Sequence, residues 1–232
     1  MLTPFKMHKI LLFLILFCGL LPNIYLQNSR YKSIDQKGAA GLFRVVAHNG
    51  KYGFIDKSGK EVIPTKYDEA RKFQDGLAAV KEGNKWGLVN NRGKEVVVPK
   101  YDEIGCFQEG LAVVVLEKKI GFINMKGEEV VRPKYDEVDG FYEGLAAVLL
   151  KGRAGFIDKE GKEVSPLKYD DVKAFHEGLA AVNVAGKWGY VNKKGQEVVP
   201  LQYDQAGSFS GGRAKVTLKG NEYIIDKQGY IV

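Results

Sequence analysis

The stretch Lys85-Trp86-Gly87-Leu88-Val89-Asn90-Asn91-Arg92-Gly93-Lys94-Glu95-Val96-Val97-Val98-Pro99 decides the fold, because its pattern returns at a fixed interval along the chain. The glycines Gly53, Gly87, Gly121, Gly155 and Gly189 stand 34 residues apart. A further 34 on, Tyr223 takes the place in a weaker sixth copy, Asn221-Glu222-Tyr223-Ile224-Ile225-Asp226. Tyrosines at 67, 101, 135, 169 and 203, phenylalanines at 73, 107, 141, 175 and 209, and valines at 80, 114, 148, 182 and 216 keep the same step. An unbroken period of this size marks a tandem array of small units, each burying a core only against its neighbours.

Within one unit the apolar runs are short, rich in β-branched and aromatic residues, and separated by polar turn residues, which predicts strands rather than helices. Asn90-Asn91-Arg92-Gly93 has five counterparts, from Asp56-Lys57-Ser58-Gly59 to Asp226-Lys227-Gln228-Gly229. In each, an Asp or Asn side chain can accept a backbone N–H two residues on, and the closing glycine supplies a left-handed conformation. A calcium loop would need a denser set of oxygen ligands. Prolines 64, 99, 133, 166 and 200 are expected to close the next strand or mark an edge, since proline cannot donate to a ladder. A turn at Asp75-Gly76 then returns the chain, giving three or four strands per unit. The alanines at 78, 112, 146, 180 and 214 never enlarge, which implies close packing, whereas Lys215 ends the neighbouring column that starts at Ala79 and implies that this face meets water. The recurrent Gly87 column predicts a positive φ or a close backbone approach.

The expected architecture is therefore all-β: tandem 34-residue repeats of antiparallel strands in an open, solenoid-like array, with residues 31–232 as one repeat domain of five full units and a partial sixth. The alternative is a closed six-unit β-propeller, in which residues from Arg30-Tyr31 to Gly41 would supply what the last copy lacks; that stretch has no phenylalanine in the right column. Lys85-Trp86-Gly87-Leu88-Val89-Asn90 and Lys187-Trp188-Gly189-Tyr190-Val191-Asn192, with the surrounding Asp/Asn-x-x-Gly-x-Glu-Val, Pro, Tyr-Asp and Gly-Leu-Ala elements, resemble the bacterial WG-repeat family. The resemblance covers about residues 42–232 and implies an interaction scaffold, often exported, with no catalytic residue to carry over. The tryptophan is replaced by Tyr52, Ile120, Ala154 and Glu222 in other copies, so no role can need an indole in every unit.

A net charge of +7 points toward anionic partners, but most Lys and Arg residues neighbour Asp or Glu, and interspersed signs build no basic stripe for nucleic acid. Lys6 and Lys9 precede the apolar run Ile10 to Leu21, which Pro22-Asn23 ends; it is short for a spanning helix and reads as an export signal or N-terminal anchor over residues 1–30. Cys18 would suit a lipid anchor, although Phe17 stands where lipoprotein signals carry a small residue. Cys106 alone remains beyond that segment, so no internal disulfide is expected in the exported part.

Few residues suggest chemistry. His48 and His176 neither recur nor form a metal spacing, no phosphate or dinucleotide loop occurs, and no cofactor, metal or catalytic residue is expected. The carboxylate pairs Asp68-Glu69, Asp102-Glu103, Asp136-Glu137 and Asp170-Asp171 could serve a hydrolase, but a catalytic site is used once and these repeat with the fold. Beside them Lys66, Lys100, Lys134 and Lys168 form a ladder, either a solvated salt-linked edge or a charged strip for an extended polymer. Trp86 and Trp188 are expected to pack between units. The expected function is a non-catalytic scaffold of the cell envelope that binds a protein or peptide through a face of several repeats; an anionic-glycan binder is the second reading and the hydrolase the third. Membrane contact is expected only through the N-terminal segment. Fractionation should place the protein outside the cytoplasm, with residues before about 30 removed or serving as an anchor; a soluble cytoplasmic protein with an intact N-terminus would contradict this.

Overall fold

The computed structural model describes residues 30–232, so the export segment expected from the sequence lies, but for Arg30, outside the described residues. No helix is present among the described residues, and none long and apolar enough to cross a membrane. They form six small antiparallel sheets, none closed into a barrel, in two compact units, one ending at Lys100 and the other running from Tyr101 to Val232. In the first unit, one sheet comprises Ser33–Ile34, Leu42–Val46, Tyr52–Asp56 and Glu61–Tyr67, and the next Glu69–Ala70, Leu77–Glu82, Lys85–Asn90 and Glu95–Tyr101. In the second unit, the third sheet starts at Glu103, the fourth at Glu137 and the fifth at Asp171, each with four strands in chain order. The sixth has three strands: Gln205–Ala206, Arg213–Leu218 and Asn221–Asp226. The segment after Tyr31 supplies the first strand of the first sheet, and Ala39-Ala40-Gly41 repeats the turn made by Gln74-Asp75-Gly76.

The fourth strand is bulged in the same way throughout. Tyr52 faces Tyr67 and Phe54 faces Ile63, so two steps on the third strand meet four on the fourth. Ile120/Tyr135 with Phe122/Val131, and Trp188/Tyr203 with Tyr190/Val199, repeat the shift. The excess backbone folds over the glycine between the two contacts. A Cβ on Gly53 would stand 2.6 Å from the carbonyl oxygen of Ile63, and one on Gly189 2.5 Å from that of Val199. Gly87 and Gly121 meet the carbonyls of Val97 and Val131 likewise, and Gly155 that of Pro166. None of these five glycines has a left-handed φ, so close approach, not conformation, explains the column. Tyr223 breaks the column in the one sheet with no fourth strand to fold over it. The prolines do not close their strands, as expected from the sequence; the strand runs through them to the tyrosine, and the bulge absorbs their one-residue wander. Their edge position agrees with the lack of an N–H donor.

The Asx-x-x-Gly segments form the expected turns between the third and fourth strands. Asp56 Oδ1 accepts the amides of Ser58 (2.8 Å) and Lys60 (3.1 Å), and Gly59, at φ +85°, donates to the Asp56 carbonyl (3.0 Å). The second and third strands meet in tight hairpins that the sequence reading did not single out, such as Gly83-Asn84 and Glu117-Lys118, the latter with both residues at positive φ.

The core lies between consecutive sheets of each unit. Leu42, Phe54, Ile63 and Tyr67 of the first sheet pack on Ala70, Phe73, Ala78 and Val80 of the second. The phenylalanine of one sheet meets the third-strand aromatic of the sheet before edge to face: Phe73 on Phe54 (4.9 Å), Phe141 on Phe122 (5.0 Å), Phe175 on Phe156 (4.7 Å) and Phe209 on Tyr190 (4.9 Å). Such pairs add about 0.5–1.5 kcal/mol beyond the area they bury. The small alanines are buried here as expected. The neighbouring column meets water at Lys215, but Ala79 and Ala181 in it are buried.

Two sets of acidic residues tie the sheets at opposite ends, since alternate turns of a meander share an end. At one end Asp68 accepts Lys51 Nζ of the preceding sheet (2.6 Å) and the Gly83 amide of its own (2.8 Å). Asp136 does the same with Lys119 and the Lys151 amide, and Asp170 with Arg153 and the Ala185 amide. At the other end Glu143 accepts the Gly178 amide (3.0 Å) and pairs with Lys193 (3.0 Å), and Glu177 accepts the amides of Gly211 (2.6 Å) and Gly212 (2.8 Å) and pairs with Lys227 (3.3 Å).

Two outcomes follow. Gly121→Val is expected to lower stability by at least about 1–3 kcal/mol, because its side chain must displace backbone, whereas Lys126→Ala in the neighbouring turn leaves the denaturation midpoint nearly unchanged. The Asp68 and Asp136 carboxyls are held below the usual carboxylate range, chiefly by the hydrogen bonds from Lys51 and Lys119 and then by the turn amides. A carboxyl lowered on folding adds stability above its unfolded pKa, about 3.9, and loses it as pH falls through the folded value. Asp136→Asn should therefore be less stable than the parent at pH 7, with the two denaturation curves converging as pH falls through the lowered carboxyl pKa.

Candidate functional site

The lysines Lys66, Lys100, Lys134 and Lys168 all lie exposed on fourth strands, each one residue before a buried tyrosine. Lys66 and Lys100 belong to the first unit, Lys134 and Lys168 to the second. Lys66 Nζ is 2.9 Å from Glu95 and 3.5 Å from Glu82, and stands 4.8 Å from the Tyr67 ring centroid. Lys134 and Lys168 stand 4.9 Å and 5.3 Å from the rings of Tyr135 and Tyr169. Each contact of this kind is worth about 0.5–1 kcal/mol at an exposed position. Beneath Lys66 and Lys100, the tyrosine hydroxyl donates to the glutamate that opens the next fourth strand, Tyr67 to Glu95 (2.9 Å) and Tyr101 to Glu129 (2.7 Å), whereas the Tyr135 hydroxyl beneath Lys134 is buried without a hydrogen-bond partner among the described residues. Tyr31 bonds Glu61 in the same way (3.2 Å). Burial and the Glu95 hydrogen bond push the Tyr67 pKa up to about 12, while the bonds from Lys66 and Tyr67 lower that of Glu95. The lysine column ends at Gln202.

The paired carboxylates divide in role. The first member is the aspartate that brackets the sheets; where Lys51 and Lys119 hold Asp68 and Asp136, the carboxyl is kept as an anion, the opposite of what proton donation in glycoside cleavage needs. The second members, Glu69, Glu103, Glu137 and Asp171, are exposed on the first strands. Glu69 is paired with Lys81 at 2.7 Å. The bracket was legible in principle: Lys51, Lys85, Lys119, Arg153 and Lys187 form another column with the 34-residue step, always 17 residues ahead of the aspartate.

In the second unit the tryptophan column faces the next sheet, at Ala154 and at Trp188. Trp86 is buried beneath Arg71 (4.4 Å to the ring centroid) and Lys81 (5.5 Å). Trp188 is half-buried, with Lys173 at 5.4 Å; that ammonium also donates to the Ala206 carbonyl (2.8 Å). Two grooves, which sequence reading did not find, open along this column in the second unit. One of about 330 Å³ lies between the fifth and sixth sheets, lined by Lys173, Trp188, Gln205, Lys215 and Glu222, with Lys215 and Glu222 paired at 2.6 Å. The other, of about 340 Å³, lies between the fourth and fifth sheets, where Ala154 takes the tryptophan position. His176 lies 6.3 Å from the Tyr142 ring, and Cys106 is exposed. Among the described residues no group of His, Cys, Asp and Glu is arranged to hold a metal.

Among curated proteins none matches the chain. Several solved structures are similar at low identity. BamB from Moraxella catarrhalis is 15% identical over 86% of this chain and 71% of its own, with a TM-score of 0.36. Hsv2 from Kluyveromyces lactis is 11% identical over 81% of this chain and 70% of its own, with a TM-score of 0.39. A eukaryotic initiation factor is 13% identical over 87% of this chain and 64% of its own, also with a TM-score of 0.39. The repeat described as WG containing repeat matches five tandem stretches, residues 52–86, 86–119, 120–153, 155–188 and 188–223. These stretches fall on the column of third-strand glycines that the bulged fourth strand requires, and they span most of the sequence: the chain belongs to the WG containing repeat family.

Proposed function

We propose that this chain is an exported, non-catalytic scaffold of the cell envelope, periplasmic, cell-surface or secreted, that holds a protein or peptide partner on a face built from several adjacent sheets. One observation carries the reading: the polar residues that repeat with the fold are engaged in holding it. The aspartates bracket sheets, the ladder lysines Lys66, Lys134 and Lys168 lie on tyrosine rings, and Glu95 and Glu129 accept tyrosine hydroxyls. What distinguishes one unit from another is the set of side chains along the exposed first strands and the tryptophan column, and such variation on a constant frame suits recognition of a shaped partner. The same engagement of the lysines leaves the anionic-polymer reading with the net charge alone in its favour.

The test is capture from a cell-envelope extract with the full chain as bait, repeated at low and high salt. A protein partner retained at high salt is the expected result; steep loss of binding with salt would move the assignment to an anionic polymer. With the partner in hand, affinity should fall in steps as sheets are removed from either end, each shortened chain first being shown to fold. Full affinity in a folded chain lacking two sheets would replace the extended face with one local site.

A further inference from the structure

The place between the fourth and fifth sheets differs from those beside the second and fifth sheets, where an indole is covered by a cation; the third sheet, with Ile120, Gly105 and Val115 in these columns, also lacks both. In the second sheet the column holds Trp86, covered by Arg71, which directly follows the first strand, and Glu69 faces Lys81 across the sheet. In the fifth sheet it holds Trp188, covered by Lys173. In the fourth sheet the indole is replaced by Ala154, the covering cation by Asp139, and the residue facing Glu137 by Leu149. An aromatic body and its cation are both missing, and the groove of about 340 Å³ is lined on its apolar side by Ala147, Leu149, Ala154 and Val172, whereas the groove of about 330 Å³ beside the fifth sheet is lined by Trp188 and Lys173. From the fifth sheet Asp171 adds a further carboxylate, opposite Asn183 rather than a lysine.

The charge at the rim is one-sided in a chain whose net charge is +7. Asp170 is paired with Arg153. Asp139 and Asp171 accept the amides of Gly140 (3.0 Å) and Val172 (2.8 Å), and among the described residues no lysine or arginine pairs with Glu137, Asp139 or Asp171. The volume is at the small end of ligand pockets, which run from about 300 to 1,000 Å³, and suits one long side chain with its neighbours rather than a cofactor.

We propose that this groove receives an arginine or lysine side chain from an extended, basic segment of a protein partner, the aliphatic stem lying on the Ala147, Leu149 and Ala154 floor and the cationic head meeting Glu137, Asp139 and Asp171. The guest restores from outside the cation that Arg71 and Lys173 supply from within in other sheets. Long cationic side chains combine an apolar stem with a charged head, and a guanidinium matches carboxylate geometry. The inference rests on the protein-binding reading and names the chemistry at one point of the proposed face.

The experiment titrates the full chain with a capped hexapeptide of alternating valine and arginine at low ionic strength, with a valine and glutamate hexapeptide as control. Saturable binding of the arginine peptide alone is expected, weakened at least tenfold by Glu137→Gln/Asp139→Asn/Asp171→Asn. Neutralising Glu128, Glu160 and Glu163, exposed acids away from the groove, should leave binding within about twofold. Ala154→Trp keeps every charge, sets an indole on the surface where the guest's stem would lie, and should also weaken binding at least tenfold. Absence of binding, or affinity undiminished by the triple substitution or by Ala154→Trp, would overturn the proposal. The synthetic peptide needs no natural partner, so the two readings separate. Failure here with envelope capture intact removes the groove alone, whereas failed capture with peptide binding intact removes the scaffold reading.

Discussion

The contact on which the rest of this structure depends is between a glycine in the third strand of each sheet and the backbone of the bulged fourth strand. The bulge carries a carbonyl to within 2.6 Å of where a Cβ on Gly53 would stand, a separation that no side chain tolerates. By folding inward it sets the register that buries Tyr67, Tyr101, Tyr135, Tyr169 and Tyr203 at the strand end, from which the Tyr67 and Tyr101 hydroxyls reach glutamates of the next sheet. A bulge also bends and twists the strand that carries it and makes a poor edge for pairing with another chain, a tendency that the prolines reinforce. Glycine, bulge, proline and tyrosine are thus one device seen at four positions of the sequence. Where the fourth strand is missing, in the sixth sheet, Tyr223 stands in the glycine place and Ile224 is 40% exposed.

Consecutive sheets are held by three kinds of contact, arranged from one end of the strands to the other. Aspartate brackets tie one end, glutamate–glycine–lysine links tie the other, and edge-to-face aromatic pairs fill the layer between. Most of the ionic contacts are surface pairs, worth little singly. Their effect is directional: each carboxylate binds a backbone amide of a turn, so it fixes the turn as well as the spacing of the sheets. The apolar layer supplies the stabilisation, and the brackets decide which way one sheet sits on the next.

Departures from the repeat are what set one sheet of this frame apart from another. A residue that returns in every unit is explained by the unit. The fourth sheet carries Ala154 in place of an indole, Asp139 in place of its covering cation and Leu149 in place of a cross-strand lysine, and a groove opens there; the fifth keeps its indole and cation and opens another that is charge-paired. Each substitution alone reads as drift. Together they change the sign of the local charge and the shape of the surface, because strand pairing brings Glu137 opposite Leu149 and sheet stacking brings Asp171 beside Ala154.

The sequence by itself determined the all-β class, the number of units, the turns and the family, because these follow from local chemistry repeated at a constant spacing: Asx-x-x-Gly must turn, a short β-branched run pairs as a strand, and a fixed period stacks. It pointed to Gly121 as a constrained position and offered two causes; only the tertiary structure chose close approach, since the colliding carbonyl of Val131 belongs to another strand. It placed proline at the end of a strand that in fact continues, because a bulge is a property of two paired strands and cannot be read from one. It grouped Asp68 with Glu69 as a carboxylate pair, whereas alternation along the backbone and the packing of the next sheet give the two separate surroundings, one among cations and turn amides, the other on an exposed first strand. The grooves were invisible for the same reason: their walls come from residues of two different sheets, and only stacking brings them together.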